Sequence, residues 1–234
     1  MGYYPIQIVL SPQKPSGIGK EPVYASTPKY GTFHLGDGPR STYYLALDEP
    51  VNGTFKIYID RNQNGDLTDD GDGAWNKRSN NNGRVLYGVL DVPLRASYGT
   101  ADKEYTTSDY ALGIYRLPDH ANLFCYRRSV RTGALVLEGK SHRIILVEND
   151  ANALFAKAIT SVGESSKTKP LWLLVDLTDD GTYASKPIDI RGPFQLEGIT
   201  YEARVPADGS SINLQPTAKP VLDLSQQASS EALT

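Results

Sequence analysis

The feature that most constrains this chain is a strand that runs without a break into an acidic turn. Phe55-Lys56-Ile57-Tyr58-Ile59 alternates as a half-buried strand does, and Asp60-Arg61-Asn62-Gln63-Asn64-Gly65-Asp66-Leu67-Thr68-Asp69-Asp70 follows directly. Asp60, Asn62 and Asn64 place carboxylate or amide oxygens at the first, third and fifth loop positions. Gly65 stands sixth, where the sharp turn needs a backbone conformation that costs other residues more. Asp66 can lend a backbone carbonyl from the seventh position, Leu67 an apolar anchor and Thr68 a hydroxyl. This is the donor pattern of a loop that holds a hard, oxygen-seeking cation such as calcium. The usual twelfth-position glutamate is replaced by Gly71, so Asp69, Asp70 or Asp72 must supply the closing carboxylate. A strand enters the loop, where an EF-hand would have a helix.

The same unit recurs twice. His142-Arg143-Ile144-Ile145-Leu146-Val147 leads into Glu148-Asn149-Asp150-Ala151-Asn152-Ala153-Leu154-Phe155. Glu148, Asp150 and Asn152 take the first, third and fifth positions, but Ala153 stands where the glycine should be. This copy reads as an eroded loop, and residues 151–158 could instead form a short helix. The apolar run Leu171-Trp172-Leu173-Leu174-Val175, a buried strand, leads into Asp176-Leu177-Thr178-Asp179-Asp180-Gly181-Thr182-Tyr183. Asp176, Thr178 and Asp180 are the candidate ligands there. Thr182 follows the glycine, and Asp189 is a candidate late ligand. Three strand-then-loop units favour repetition of one inherited pattern, though their irregular spacing excludes a solenoid.

Short apolar runs separated by turn chemistry fill the rest of the chain, and few stretches carry helical spacing. The abundance of turn and strand formers (21 Gly, 15 Pro and 15 Tyr) fits an all-β chain, an antiparallel sandwich or barrel-like fold. The expected organisation is two β subdomains, residues 1–100 with the main loop and 101–216 with the two weaker ones, then a polar tail, 217–234. Tyr4 to Leu10 reads as an edge strand. Asn52-Gly53 reads as a tight hairpin turn, and Pro93 as a break in a strand spanning 84–98. Hairpins are expected through Glu138-Gly139 and Glu197-Gly198.

Several functions find no support. A net charge of -3 gives no basic footprint for nucleic acid. No run approaches the roughly 18 apolar residues of a membrane span. Met1-Gly2-Tyr3-Tyr4 shows neither the basic start nor the apolar stretch of a leader. The single cysteine, Cys125, lies in an apolar run and reads as a buried thiol. Gly17-Ile18-Gly19-Lys20 lacks the spacing of a phosphate loop. Ser11-Pro12-Gln13-Lys14 matches a Ser-x-x-Lys string but lies in a proline-rich connection. His34, His120 and His142 share no metal spacing. The expectation is therefore a chain without catalytic residues.

Tyr30-Gly31-Thr32, Leu35-Gly36-Asp37-Gly38, Ala46-Leu47-Asp48, Tyr58-Ile59-Asp60-Arg61-Asn62 and Gly65 to Gly71 together resemble a family of exported bacterial β modules. Val175-Asp176 through Gly181, Gly192-Pro193-Phe194, Gly198-Ile199-Thr200-Tyr201-Glu202 and Asp208-Gly209-Ser210 add to the likeness, which covers roughly Tyr30 to Leu214. Such modules carry Asp-x-Asn-x-Asn-Gly loops and are often followed by a thioredoxin-like domain. This sequence has no Cys-x-x-Cys, so neither that domain nor its redox role is expected in it. The resemblance implies export, hence an extracellular or periplasmic location, and a non-enzymatic, calcium-binding structural or interaction role. Two alternatives stay open. One is a subunit of an extracellular filament or tubule, a homo-oligomer or polymer assembling by strand addition through residues 4–10 or 221–224. The other is a carbohydrate-binding or hydrolytic β domain with Trp75 or Trp172 as a stacking platform.

Overall fold

The computed structural model describes residues 4–79, 85–100, 105–117, 120–183, 186–222 and 224; for residues 76–79, 85–91, 166 and 167 it describes the backbone alone. The chain is all-β. It divides into two compact units, Pro5–Arg128 and the residues from Ser129 onward together with Tyr4.

The first unit contains β1 (Ile6–Ile8), β2 (Leu10–Ser11), β3 (Lys29–His34), β4 (Thr42–Asp48), β5 (Lys56–Ile59), β6 (Asn76–Ser79), β7 (Val85–Tyr98), β8 (Thr106–Arg116) and β9 (Leu123–Arg127). They form two antiparallel sheets, ordered β2-β3-β4-β5 and β1-β9-β8-β7-β6. Alternation puts Tyr43, Leu45 and Leu47 of β4 and Leu112 and Ile114 of β8 in the core, each at most 1% exposed. The buried Tyr43 hydroxyl links β4 to β7: it donates to Arg95 O at 2.7 Å and accepts from Arg95 N at 3.0 Å. A large aromatic can be buried there because its polar tip is satisfied at both ends. The loop after β3 then lies against β7, with Ser97 N donating to Leu35 O and Gly38 N to Ser97 O. Gly36 has φ +86, and a Cβ on it would fall 2.0 Å from Ser97 O, so both conformation and approach require glycine.

The second unit holds β10 (Arg131–Leu137), β11 (Lys140–Glu148), a 3-10 segment (Val162–Lys167), β12 (Leu171–Val175), β13 (Ile188–Asp189), β14 (Phe194–Leu196), β15 (Ile199–Arg204) and β16 (Asn213–Pro216). Its sheets are ordered β10-β11-β12-β13 and β14-β15-β16, again antiparallel. Glu138 and Gly139 (φ 48 and 80), and Glu197 and Gly198 (φ 48 and 79), make the two expected hairpin turns with left-handed residues at both central positions. Leu135, Ile144, Leu146, Phe155, Leu173 and Phe194 share one core.

Several expectations need correcting. No sheet among the described residues closes into a barrel, and the four open sheets fit a sandwich. The division between units lies after Arg128, whereas a boundary at 100/101 would cut between β7 and β8, which pair from Tyr87 to Thr106; residues 101–104 themselves lie outside the described residues. Asn52-Gly53 is not a two-residue turn, because β4 and β5 pair only from Asp48↔Lys56 inward. The intervening segment is committed elsewhere: Glu49 forms an ion pair with the buried Arg116 at 2.7 Å. Pro93 does not break β7. β6 pairs only with Val85–Gly88, so at Pro93 that flank has no β6 ladder to lose. Residues 151–158 form no helix. The start of the tail is held, since Leu222 N donates to Pro193 O and its side chain covers Gly192; residues 223 and 225–234 lie outside the described residues. Edge placement of the N-terminal segment agrees with expectation, as β1 and β2 each end a sheet.

Leu173 has no exposed surface and sits in the central part of β12. Leu173→Ala is expected to destabilise the second unit by about 2–5 kcal/mol, the usual cost of lost burial plus a residual cavity. Urea unfolding followed by hydrogen exchange of β11 and β12 amides measures it.

Candidate metal centre

Each acidic loop begins where a core strand ends. Ile57, Tyr58 and Ile59 are buried, and the next residue, Asp60, is 1% exposed. Glu148 is 1% and Asp176 0% exposed, for the same reason. A buried carboxylate needs donors, and the loop's own backbone provides them. In the first loop Asp60 Oδ1 accepts from Asn64 N at 3.0 Å and Oδ2 from Gly65 N at 2.9 Å. Asn62 Oδ1 accepts from Asn64 N, Asn64 Oδ1 from Asp66 N, and Asp66 Oδ1 from Thr68 N. This ladder of Asx turns curls the backbone around one point.

All three loops share that backbone. The fourth and sixth residues are left-handed in each: Gln63 (φ 58) and Gly65 (77), Ala151 (51) and Ala153 (62), Asp179 (57) and Gly181 (89). The first carboxylate bonds the sixth amide in each, Glu148 Oε1 to Ala153 N at 3.4 Å and Asp176 Oδ2 to Gly181 N at 3.0 Å. The fifth side chain bonds the seventh amide in each, Asn152 Oδ1 to Leu154 N and Asp180 Oδ1 to Thr182 N. Ala153 keeps the conformation without glycine, at a cost of roughly 1–2 kcal/mol for an L residue.

The structure sorts the first loop's candidate ligands. Asn62 Nδ2 and Asn64 Nδ2 both donate to Asp69 Oδ2, at 3.3 and 2.7 Å, so Asp69 closes the loop over the third and fifth positions. Asp70 lies with them, its Oδ2 accepting from Arg61 N. Burial first, and then the charges of Asp69 and Asp60, raise the Asp70 pKa above the ordinary carboxylate value, despite the opposing hydrogen bond from Arg61 N. Asp72 turns away to accept from Ala74 N. The Asp66 side chain accepts from Thr68 Oγ1 and Lys20 Nζ, which leaves its backbone carbonyl as the donor the pattern assigns it. Among the described residues no cluster of three or more His, Cys, Asp or Glu forms a ready ligand set. The groups that meet at Asp69 are the amide N–H donors of Asn62 and Asn64, whose side-chain oxygens accept from backbone amides of the loop.

The second loop differs. Lys157 Nζ lies 2.6 Å from Asp150 Oδ2 and 3.4 Å from Glu148 Oε2, with its side chain only 6% exposed. Asp150 Oδ1 accepts from Lys169 N. In the third loop Arg143 Nη2 reaches Asp176 Oδ2 at 2.8 Å, while Asp176 Oδ1 is buried with no hydrogen-bond partner among the described residues. Thr178 and Thr182 hydroxyls both serve Asp180, whose pKa is lowered chiefly by the Thr182 backbone N–H. Asp189 is paired with Arg191 at 2.7 Å and takes no part in the loop.

Sequence reading missed the clamp on the first loop. Gly19 N and Lys20 N both donate to Gly65 O, and Leu67 N donates to Lys20 O. The segment with the faint look of a phosphate loop is thus a strap, anchored by Ile18 in a core with Leu67, Tyr30, Ala46 and Tyr58. A Cβ on Gly65 would also fall 2.7 Å from Gly17 O. Arg40 and Gln63 add a second tie, Arg40 Nη2 to Asn62 O and Gln63 Nε2 to Arg40 O and Thr42 O. No local signal announces these partners, which are remote in sequence. The two tryptophans differ, Trp75 being buried and Trp172 half-buried. Trp75 is 7% exposed, and Trp172 meets the edge of Tyr4 at 5.5 Å.

No protein-family model, curated protein or solved structure matches this chain. The Lys20 hydrogen bond, with help from Thr68, holds the Asp66 carboxyl down at about 2. Its folded value lies below the ordinary 3.8, so the pair's contribution to stability is full above about pH 4 and is lost as pH falls through about 2. In chelator, an NMR titration is expected to find Asp66 near 2 in the wild type and closer to 3.8 in Lys20→Met.

Proposed function

We propose that this chain is a non-enzymatic, calcium-binding β module that works outside the cytoplasm in a structural or interaction role. The observation that carries the reading is the loop backbone repeated three times, with left-handed fourth and sixth residues and the first carboxylate bonded to the sixth amide. In the first loop Asp60, Asn62, Asn64, the Asp66 carbonyl and Asp69 would hold the ion, with Asp70 beside them. A cation there would take over the part that the two amide N–H groups play toward Asp69, and it would offset the repulsion among Asp60, Asp69 and Asp70. In the third loop Asp176 and Asp180 would hold it, and the unpartnered Asp176 Oδ1 would gain a partner. The ion supplies fixed positive charge at a strand end; the chain supplies the preformed turn. An exterior location suits loops of this kind, because weak sites, with Kd on the order of 10⁻⁴–10⁻³ M, stay filled only where calcium is plentiful.

A second reading, a subunit that polymerises through its sheet edges, is favoured by the N-terminal segment. β1 and β2 end two sheets, and Val9 between them is 68% exposed. Strand addition to such an edge would gain main-chain hydrogen bonds.

At 10 mM calcium a site of this affinity adds about 1.4–2.7 kcal/mol to folding. The melting temperature of the wild type is therefore expected to rise by about 4–10 °C over its value in chelator. Asp60→Asn should lose the first loop's share of that rise, and Asp60→Asn with Asp176→Asn nearly all of it. A wild-type melting temperature indifferent to calcium would overturn the reading. Light scattering on the same samples separates the alternatives: growth in particle size with calcium supports the polymer, and constant size supports the monomeric module.

A further inference from the structure

We propose that the second loop carries its own cation: the Lys157 ammonium stands in for the metal ion and makes this copy independent of calcium. The inference rests on the reading of its sister loops as calcium loops. Counted from the first carboxylate, Lys157 is the tenth residue of its loop, and Asp69 is the tenth of the first loop. The two side chains do opposite things at one place. Asp69 brings a negative charge onto the third and fifth side chains, Asn62 and Asn64. Lys157 brings a positive charge onto the first and third, Glu148 and Asp150. Both partners are carboxylates, the lysine side chain is 6% exposed, and Glu148 is 1% exposed, so the ammonium is enclosed with the charges it neutralises. An ammonium with three N–H donors can satisfy several oxygens at once, as a cation does.

The rest of the loop fits a copy that kept the fold and gave up the ion. Ala153 retains the left-handed turn at φ 62 without glycine, Phe155 fills the apolar anchor position at 1% exposure, and Asp150 Oδ1 is tied to Lys169 N. Phe155 N also bonds Ala207 O, which links this turn to the connection before β16. The loop's structural duty is therefore permanent, whereas its sisters' would vary with calcium.

The test compares the full chain with Lys157→Asp and Lys157→Met by calorimetric titration with calcium chloride. Lys157→Asp is expected to bind one more equivalent of calcium than the wild type, and Lys157→Met to melt lower in chelator and to recover part of that loss in calcium. Folded variants with unchanged stoichiometry and no calcium-dependent recovery would overturn the proposal. Reductive methylation of the wild type needs no variant: Lys157 should resist modification equally in chelator and in 10 mM calcium, and its exposure by calcium would contradict the assignment. The wild-type stoichiometry reports on the calcium reading by itself. A wild type that binds none while Lys157→Asp gains one would remove that reading and leave this proposal standing.

Discussion

One hydrogen bond organises each loop: the amide of the sixth residue donates to the carboxylate of the first. The carboxylate is buried because it follows directly on a core strand, and a buried negative charge without donors would be very costly. The loop must therefore turn its own backbone inward. That demands left-handed residues at the fourth and sixth positions, and all three loops have them. The Asx ladder, the closing tenth residue and the straps from Lys20, Lys169 and Arg143 all build on this turn.

Once the turn is closed, charge decides what each copy can do. The first loop gathers carboxylates and amides and holds them with backbone N–H groups and a clamp across Gly65. The second encloses an ammonium. The third leaves one carboxylate oxygen buried without a partner among the described residues, while a half-exposed arginine meets the other. A single backbone thus carries three different charge arrangements, and on the proposed reading they run from a loop open to an external cation to one that contains its own.

The sequence made the strands and loops legible because their signals are local. Alternation in 55–59 and 142–147 and the run 171–175 mark strands, and the acidic turns after them are visible as spacing. The two Glu-Gly hairpins were readable for the same reason. What was not legible depends on partners far along the chain. The strap Gly17–Lys20 joins the loop at Gly65, and Pro93 is tolerated because β6 stops at its Gly88 partner. The place of Lys157 was hidden too, since it lies beyond the segment whose pattern marks the eroded loop. The division after Arg128 could not be read either, because the long β7–β8 pairing that spans residue 100 is a tertiary fact.

The most direct test of the central claim is a two-dimensional amide NMR titration with calcium, followed at Gly65, Ala153 and Gly181. An ion held by the first carboxylate polarises its bond to the sixth amide. Large saturable shifts are expected at Gly65 and Gly181 and none at Ala153. Three loop amides that ignore calcium up to 10 mM would contradict that claim.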